Sequence, residues 1–293
     1  MTTRRFLQVD VFSARAGGGN PLAVVLDAEG LDDTAMQAIA RWTKLPETTF
    51  VLPPLDPDSS YRIRMFAPQK EVPFAGHPSV GTAHAALEAA LARPRDGVLV
   101  QDGIAGKLPL RVDERDGHRS ISIRTPRARL TETADATDPR LRAALAGWTL
   151  GALPPALMDG GRRWWLVELA DEAALRALTP DWDAIAALAE STASMGVFAY
   201  ARAAAGADFD FAVRAFVGNG RRFEDAASGA ANAVLAAWLD SRGALPRPAR
   251  RYIVSQGREV GFDARLELSI DEAGEVWSGG QVQTVIRGEI DWP

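Results

Sequence analysis

The sequence predicts an α+β protein built from two similar domains, and three observations carry that reading. Strand-like and helix-like stretches alternate along the chain. An Arg-x-Phe strand followed by a glycine turn and an alanine-rich helix occurs once in each half. A polar, proline-bearing stretch, 126–145, separates the two occurrences and reads as the crossing between domains. The length of 293 residues also favours two domains over one.

In the first half, "RFLQVDVF" alternates like a strand and "PLAVVLDA" is a short apolar run that reads as a second. The intervening "ARAGGGNP" has neither G-x-G-x-x-G nor Walker spacing, so it is read as a turn and not a phosphate loop. Asp32 or Asp33 can cap a helix with Met36, Ile39 and Ala40 on one face. "TTFVL" and "YRIRMFA" read as strands around the turn-rich "PPLDPDSS". The stretch after Gly76-His77-Pro78 reads as a helix, with Val80, Ala83, Leu87 and Ala90 at helical spacing and Pro78 in the first turn.

In the second half, "GGRRWWLVEL" reads as a turn and a strand, and "DFAVRAF" as a strand followed by "VGNGRRFEDAASGAANAVLAAWL". Placing Gly81 on Gly229 sets His77 on Asp225 and Leu87 on Leu235, while Arg64 and Phe66 fall on Arg214 and Phe216. The same offset sets Phe50 on Phe198 and Glu47 on Met195. The tail, "VWSGGQVQTVIRGEIDWP", reads as strand-like around a Gly279-Gly280 break and can return to the first domain. The expected division is 1–125 with 282–293, and 126–281.

Two related domains would each place a helix N-terminus beside a shared cleft, and unsatisfied N–H groups with positive dipole ends suit carboxylates. In that register His77 and Asp225 face each other from the two helix starts. Taken singly, each is more simply a helix-entry residue and a cap; their equivalence under the repeat is what favours function. Glu47, at a strand entrance with Met195 as its counterpart, would be the one carboxylate positioned for proton transfer, and enclosure would raise its pKa towards neutrality.

Composition narrows the field. The net charge of -5 and the lack of a basic run argue against nucleic acid, and no stretch approaches the roughly 20 apolar residues of a membrane span. With no cysteine there is no disulfide, thiolate metal site or thiol nucleophile. His77, His84 and His118 lack metal-ligand spacing, and no serine sits in G-x-S-x-G. Arg4-Arg5 is not a twin-arginine signal, since Gln8 and Asp10 interrupt the apolar segment, and a soluble, cytoplasmic protein is expected.

At these residues the sequence resembles the PhzF-like family, named for a phenazine biosynthesis isomerase. The matching stretches are "GGGNPLAVV", "LPETTFVL", "FAPQKEVPFAGHPSVGTA", "FEDAASGAANAVLAAWL", "SQGREVG" and "VWSGGQVQTVIRGEI". The resemblance implies a diaminopimelate-epimerase-like fold, each domain a curved sheet or open barrel around a central helix, the two related by a pseudo-twofold. It further implies a cofactor-free site in the interdomain cleft and a homodimer; with the histidine spacing and the helix starts, the site is expected to hold no metal and to take a small carboxylate substrate. The family's catalytic glutamate falls on Glu47, and its histidine and aspartate fall on His77 and Asp225, which position substrate. Asn20, Gly76, Ser228, Gly229 and Ala230 lie in the matched blocks and are expected at the same site. The related epimerases use two cysteines, which this chain lacks. The family block usually reads Glu-Asp-Pro-Ala-Thr-Gly-Ser, where this chain has Ala226, Ser228 and Ala230: Ser228 keeps a hydroxyl and Ala230 loses one. The expected activity is isomerisation of a small unsaturated amino or hydroxy acid by proton transfer. The alternative is a catalytically silent binding or interaction protein that keeps the fold.

Overall fold

The computed structural model describes residues 2–115, 117–135, 137–246 and 250–293. The chain divides into two compact units, Met1–Arg124 with Gly279–Pro293, and Thr125–Ser278. No helix among the described residues is long and apolar enough to cross a membrane.

The first unit runs β1 (Thr2–Val11), β2 (Asn20–Val25), α1 (Asp33–Thr43), β3 (Thr48–Leu52), β4 (Tyr61–Phe66), α2 (Gly76–Glu88), β5 (Val98–Gly103), β6 (Gly106–Arg115) and β7 (His118–Arg124). The second runs β8 (Arg129–Thr133), α3 (Pro139–Arg142), β9 (Ala156–Asp159), β10 (Arg163–Glu168), α4 (Glu172–Arg176), α5 (Trp182–Thr192), β11 (Gly196–Arg202), β12 (Phe211–Val217), β13 (Phe223–Asp225), α6 (Gly229–Ser241), β14 (Arg251–Gln256) and β15 (Ala264–Ile270). The last strand, β16 (Val276–Trp292), begins in the second unit and ends in the first.

In the first unit the strands are ordered β1-β2-β3-β4-β5-β6-β7-β16, and β16 pairs back onto β1, closing an eight-stranded barrel. Around α2 the residues Gly76 to Ala83 are all buried, and the helix packs on β1, β2, β3, β4, β5 and β7. A helix buried along its first two turns belongs in such an interior. α1 is the opposite case: capped by Asp32, whose carboxylate accepts from the Ala35 N–H at 2.8 Å, it buries only Met36, Ile39 and Ala40 against the sheet. Those are the residues its periodicity marks.

Gly279-Gly280 does not break the tail as expected. β16 is continuous there because Gly279, lacking a Cβ, lies directly against the backbone of Ile121 in β7. The chain re-enters the first unit at Gly279, earlier than the expected 282. "ARAGGGNP" is indeed the connection between β1 and β2, where the Gly17 N–H donates to the Asp10 carboxylate.

The second unit repeats the first in topology. β2 and β3 are parallel across α1, β3 and β4 antiparallel, and β4 and β5 parallel across α2. Likewise β10 and β11 are parallel across α4 and α5, β11 and β12 antiparallel, and β12 and β14 parallel across α6. α6 packs on β9, β10 and β15, with the buried Trp238 donating to the Tyr200 hydroxyl at 3.2 Å. Among the described residues the strands of this unit are ordered β15-β14-β12-β11-β10-β9-β8, with β16 beside β15 and β13 pairing β12.

The repeat also corrects the register expected from the sequence. In each unit an arginine on the strand grips a glutamate with two parallel bonds: Arg64 to Glu71 at 2.7 Å each, and Arg214 to Glu224 at 3.0 and 2.7 Å. Each glutamate is paired across the sheet with the phenylalanine two residues beyond its arginine, Phe66 or Phe216. Each guanidinium lies over that same ring, at 5.1 and 4.8 Å from the centroid. Counting from the two glutamates, the 13-residue helices start together, Gly76 on Gly229. His77 therefore corresponds to Ala230, and Asp225 to Val72; the two are not equivalent positions. Phe50 pairs with Arg64 while Ala199 pairs with Arg214, so Phe50 corresponds to Ala199, and Glu47 to Gly196 in place of Met195. The register that sets Gly81 on Gly229 is out of step with the structural repeat by more than a helical turn.

Gly81 earns its place through close packing. A Cβ there would meet Leu22 Cδ2 at 2.6 Å and Val11 Cγ2 at 2.7 Å. Gly81→Ala is expected to lose about 1–2 kcal/mol in urea unfolding, since overpacking outweighs the gain in helix propensity. Unchanged or increased stability would show that the barrel yields around α2.

Candidate active site

Glu47 follows the left-handed Lys44 that ends α1 and immediately precedes β3. Its backbone is tied to β2, the Glu47 carbonyl accepting from Ala23 N–H at 3.5 Å. Two residues on, the buried Thr49 accepts a 2.7 Å bond from Thr82 of α2 and donates to the Ala23 carbonyl at 3.4 Å. This clamp sets the height of β3 along α2. From Thr49 back to Glu47 is about 6.6 Å of strand, and from Thr82 back to His77 about 7.5 Å of helix. The two side chains therefore meet, with His77 Nε2 3.4 Å from Glu47 Oε2.

The His77 side chain is 9% exposed and that of Glu47 20%. Burial pushes the imidazole down to about 3, so it is neutral at neutral pH. Glu47 thus faces a neutral ring. The Ala75 cap of α2 makes no side-chain hydrogen bond, and Ser79 turns its hydroxyl back to the Ala75 carbonyl at 2.9 Å. Gly76, the first helical residue, is buried beside His77. Asn20 is buried at the start of β2, opposite Val11.

In the second unit, Asp225 ends β13 and the turn 226–228 leads into α6. Asp225 Oδ1 accepts from the Ala227 N–H at 3.3 Å, and Ser228 caps the helix by accepting from Ala231 N–H at 3.3 Å. Gly229 and Ala230 form the first turn, where N–H groups lack helical acceptors and the dipole is positive. Burial pushes the Asp225 carboxyl up to about 6, against the Ala227 N–H and the positive charge of Arg162, which pull it down. Gln256, to which the sequence alone assigns no role, bonds to both Asp225 and Ser228. Its only signal is its place in "SQGREVG". Among the described residues no group of three or more His, Asp or Glu side chains is arranged to hold a metal.

The Asp225 shift has a sign that stability can read. The unfolded carboxyl titrates near 3.8 and the folded one near 6, so folding disfavours the ionised form. The cost is absent below pH 3.8, grows as pH rises to 6 and is complete above it. Asp225→Asn keeps an acceptor for Ala227 and is expected to stabilise the protein by roughly 1–2 kcal/mol at pH 8, after allowance for partial exposure. The gain should vanish near pH 4. Urea unfolding of both proteins across that range checks it, and a gain independent of pH would refute the assignment.

Residues 9–288 match the family described as phenazine biosynthesis-like protein. Antisense-enhancing sequence 1 of Schizosaccharomyces pombe is 31% identical over 297 residues, covering 99% of both chains. Trans-2,3-dihydro-3-hydroxyanthranilate isomerase of Pseudomonas aeruginosa is 32% identical over 292 residues, covering 95% of this chain and 94% of that one. Among solved structures, the Bacillus anthracis phenazine biosynthesis protein of the PhzF family superposes with a TM-score of 0.83 at 23% identity, covering 100% of each chain. The paired α+β units around α2 and α6 and the full-length match lead to one assignment: the chain belongs to the phenazine biosynthesis-like (PhzC-PhzF) family of isomerases.

Proposed function

We propose that the protein is a cofactor-independent isomerase of a small unsaturated amino or hydroxy carboxylic acid, with Glu47 as its general acid and base. The observation that carries this reading is the carboxylate of Glu47 held 3.4 Å from a neutral, buried His77 at the start of α2. The Glu47 carboxylate takes a proton from an sp3 carbon adjacent to the unsaturation, and the electron pair left behind delocalises towards the carboxylate or carbonyl end of the substrate. The resulting Glu47 acid delivers that proton, or one exchanged with water, to another carbon. The double bond moves and the formula is unchanged, so no electron donor or group carrier enters the balance.

His77 does not compete for the proton because its ring is too weak a base, which leaves it to orient substrate or carboxylate through Nε2. In this proposal Asp225 and the first turn of α6 bind the polar end of the substrate. The substrate named for the Pseudomonas aeruginosa relative, trans-2,3-dihydro-3-hydroxyanthranilate, heads the test panel. Incubation of that acid and related dienoic amino and hydroxy acids in deuterated water, followed by NMR, is expected to show a shifted double bond in at least one. Deuterium should appear at the carbon that receives the proton. Product with deuterium at no carbon would refute proton transfer through an exchangeable carboxyl, and no product from any acid would count against the activity.

A further inference from the structure

We propose that Gln256 is a positioning residue for the proposed site, fixing through its side chain the turn that carries Asp225 and the start of α6. The inference rests on the reading of Asp225 as a substrate-binding group.

Gln256 is the last residue of β14 and is fully buried. Its Nε2 donates to the Asp225 carbonyl at 2.8 Å, and its Oε1 accepts from the Ser228 N–H at 3.2 Å and from Asn232 Nδ2 at 2.8 Å. Asn232 Nδ2 also donates to the Ser228 carbonyl at 2.9 Å. One carboxamide thus holds both ends of the turn and the first turn of the helix. The carboxamide supplies a donor and an acceptor side by side, as these two ends of the turn require. The following residue is shaped to the same turn: Gly257 has φ +93°, and a Cβ on it would run into the Ala226 carbonyl.

The repeat separates this device from the shared scaffold. Val213 pairs with Gln256, and Tyr61 pairs with Gln101 two residues before Gly103. Since Arg64 corresponds to Arg214, Gln256 corresponds to Gly103. The first unit builds the same strand crossing with no side chain there. The amide is therefore not part of the scaffold the two units share, and it stands in the unit where the turn carries an acid, at the point where that turn is tied down.

The test uses the full chain and two substitutions. Gln256→Met keeps length and burial but loses all three bonds; Gln256→Glu keeps both acceptor bonds and loses the donor to Asp225. In Gln256→Met, amide exchange at Ser228 is expected to quicken at least about 10-fold relative to amides of β11. The Asp225 carboxyl, followed by carbon NMR, should titrate lower as the turn opens to water. In Gln256→Glu it should titrate higher, because a negative charge is added beside it. With an acid turned over by the wild type, KM should rise about 10-fold in Gln256→Met while kcat stays within about 3-fold. Unchanged Ser228 exchange and unchanged Asp225 titration in both variants would overturn the proposal. So would a fall in kcat at constant KM. If the turn loosens as expected yet Asp225→Asn leaves KM untouched, Gln256 holds the turn but Asp225 is not a substrate contact, and it is the site reading that fails.

Discussion

Replacing Glu47 with Gln is expected to lower turnover at least about 100-fold, because the amide keeps the size and most hydrogen bonds of the acid but cannot carry the proton. Stability is expected to stay within about 0.5 kcal/mol, since the side chain lies 20% exposed beside a neutral ring and Gln keeps its shape and most of its hydrogen bonds. The two readouts must diverge. His77→Asn should behave differently, weakening binding and orientation so that KM rises more than kcat falls. Wild-type turnover in the Gln variant would remove Glu47 from the chemistry. If that variant also bound its partners unchanged, the protein would be better read as a binding module that kept the fold.

What the sequence revealed, and what it hid, follows from how far each feature depends on distant partners. β1, β2, β3 and β4 announce themselves through alternation and apolar runs, and α1 through its Asp32 cap and its Met36, Ile39 and Ala40 stripe. β5, β6 and β7 do not, because β6 carries Pro109 and charged residues and buries only Leu110 completely. Its partners across the barrel make it a strand. The repeat was visible in the Arg-x-Phe strands, but its register is set by Glu71 and Glu224, which sit at unequal distances along the chain from their arginines. Neither letter matching nor helix periodicity reports that pairing. Glu47 stands out in the sequence as a lone carboxylate at a strand entrance and by its place in a family block, while its contact with His77 depends on the Thr49–Thr82 bond between β3 and α2. Asp225 is not the repeat equivalent of His77. What supports it now is local: a partly enclosed carboxyl, a helix start, and a glutamine from another strand.

The same repeat predicts unequal costs for equal substitutions. Arg214 and Glu224 side chains are each 5% exposed, and Arg214 also donates to the Leu178 carbonyl at 2.7 Å and the Leu175 carbonyl at 3.2 Å. Arg214→Met leaves a buried carboxylate and the Leu178 carbonyl without this donor, with Glu259 as a neighbouring like charge. A loss of about 3–5 kcal/mol is expected. Arg64 and Glu71 are each 23% exposed, and the second partner of Arg64, Asp33, is 82% exposed. Water can replace the guanidinium there, so Arg64→Met should cost only about 1–2 kcal/mol. Adding Glu224→Gln to Arg214→Met removes the stranded charge and should recover about half of the loss, a coupling that the second unit must show if charge burial is its cause. Urea unfolding of the four proteins decides the matter. Equal losses in the two units would mean that packing over Phe66 and Phe216, common to both, dominates; no recovery in the double variant would place the cost in the unmet Leu178 carbonyl instead of the carboxylate.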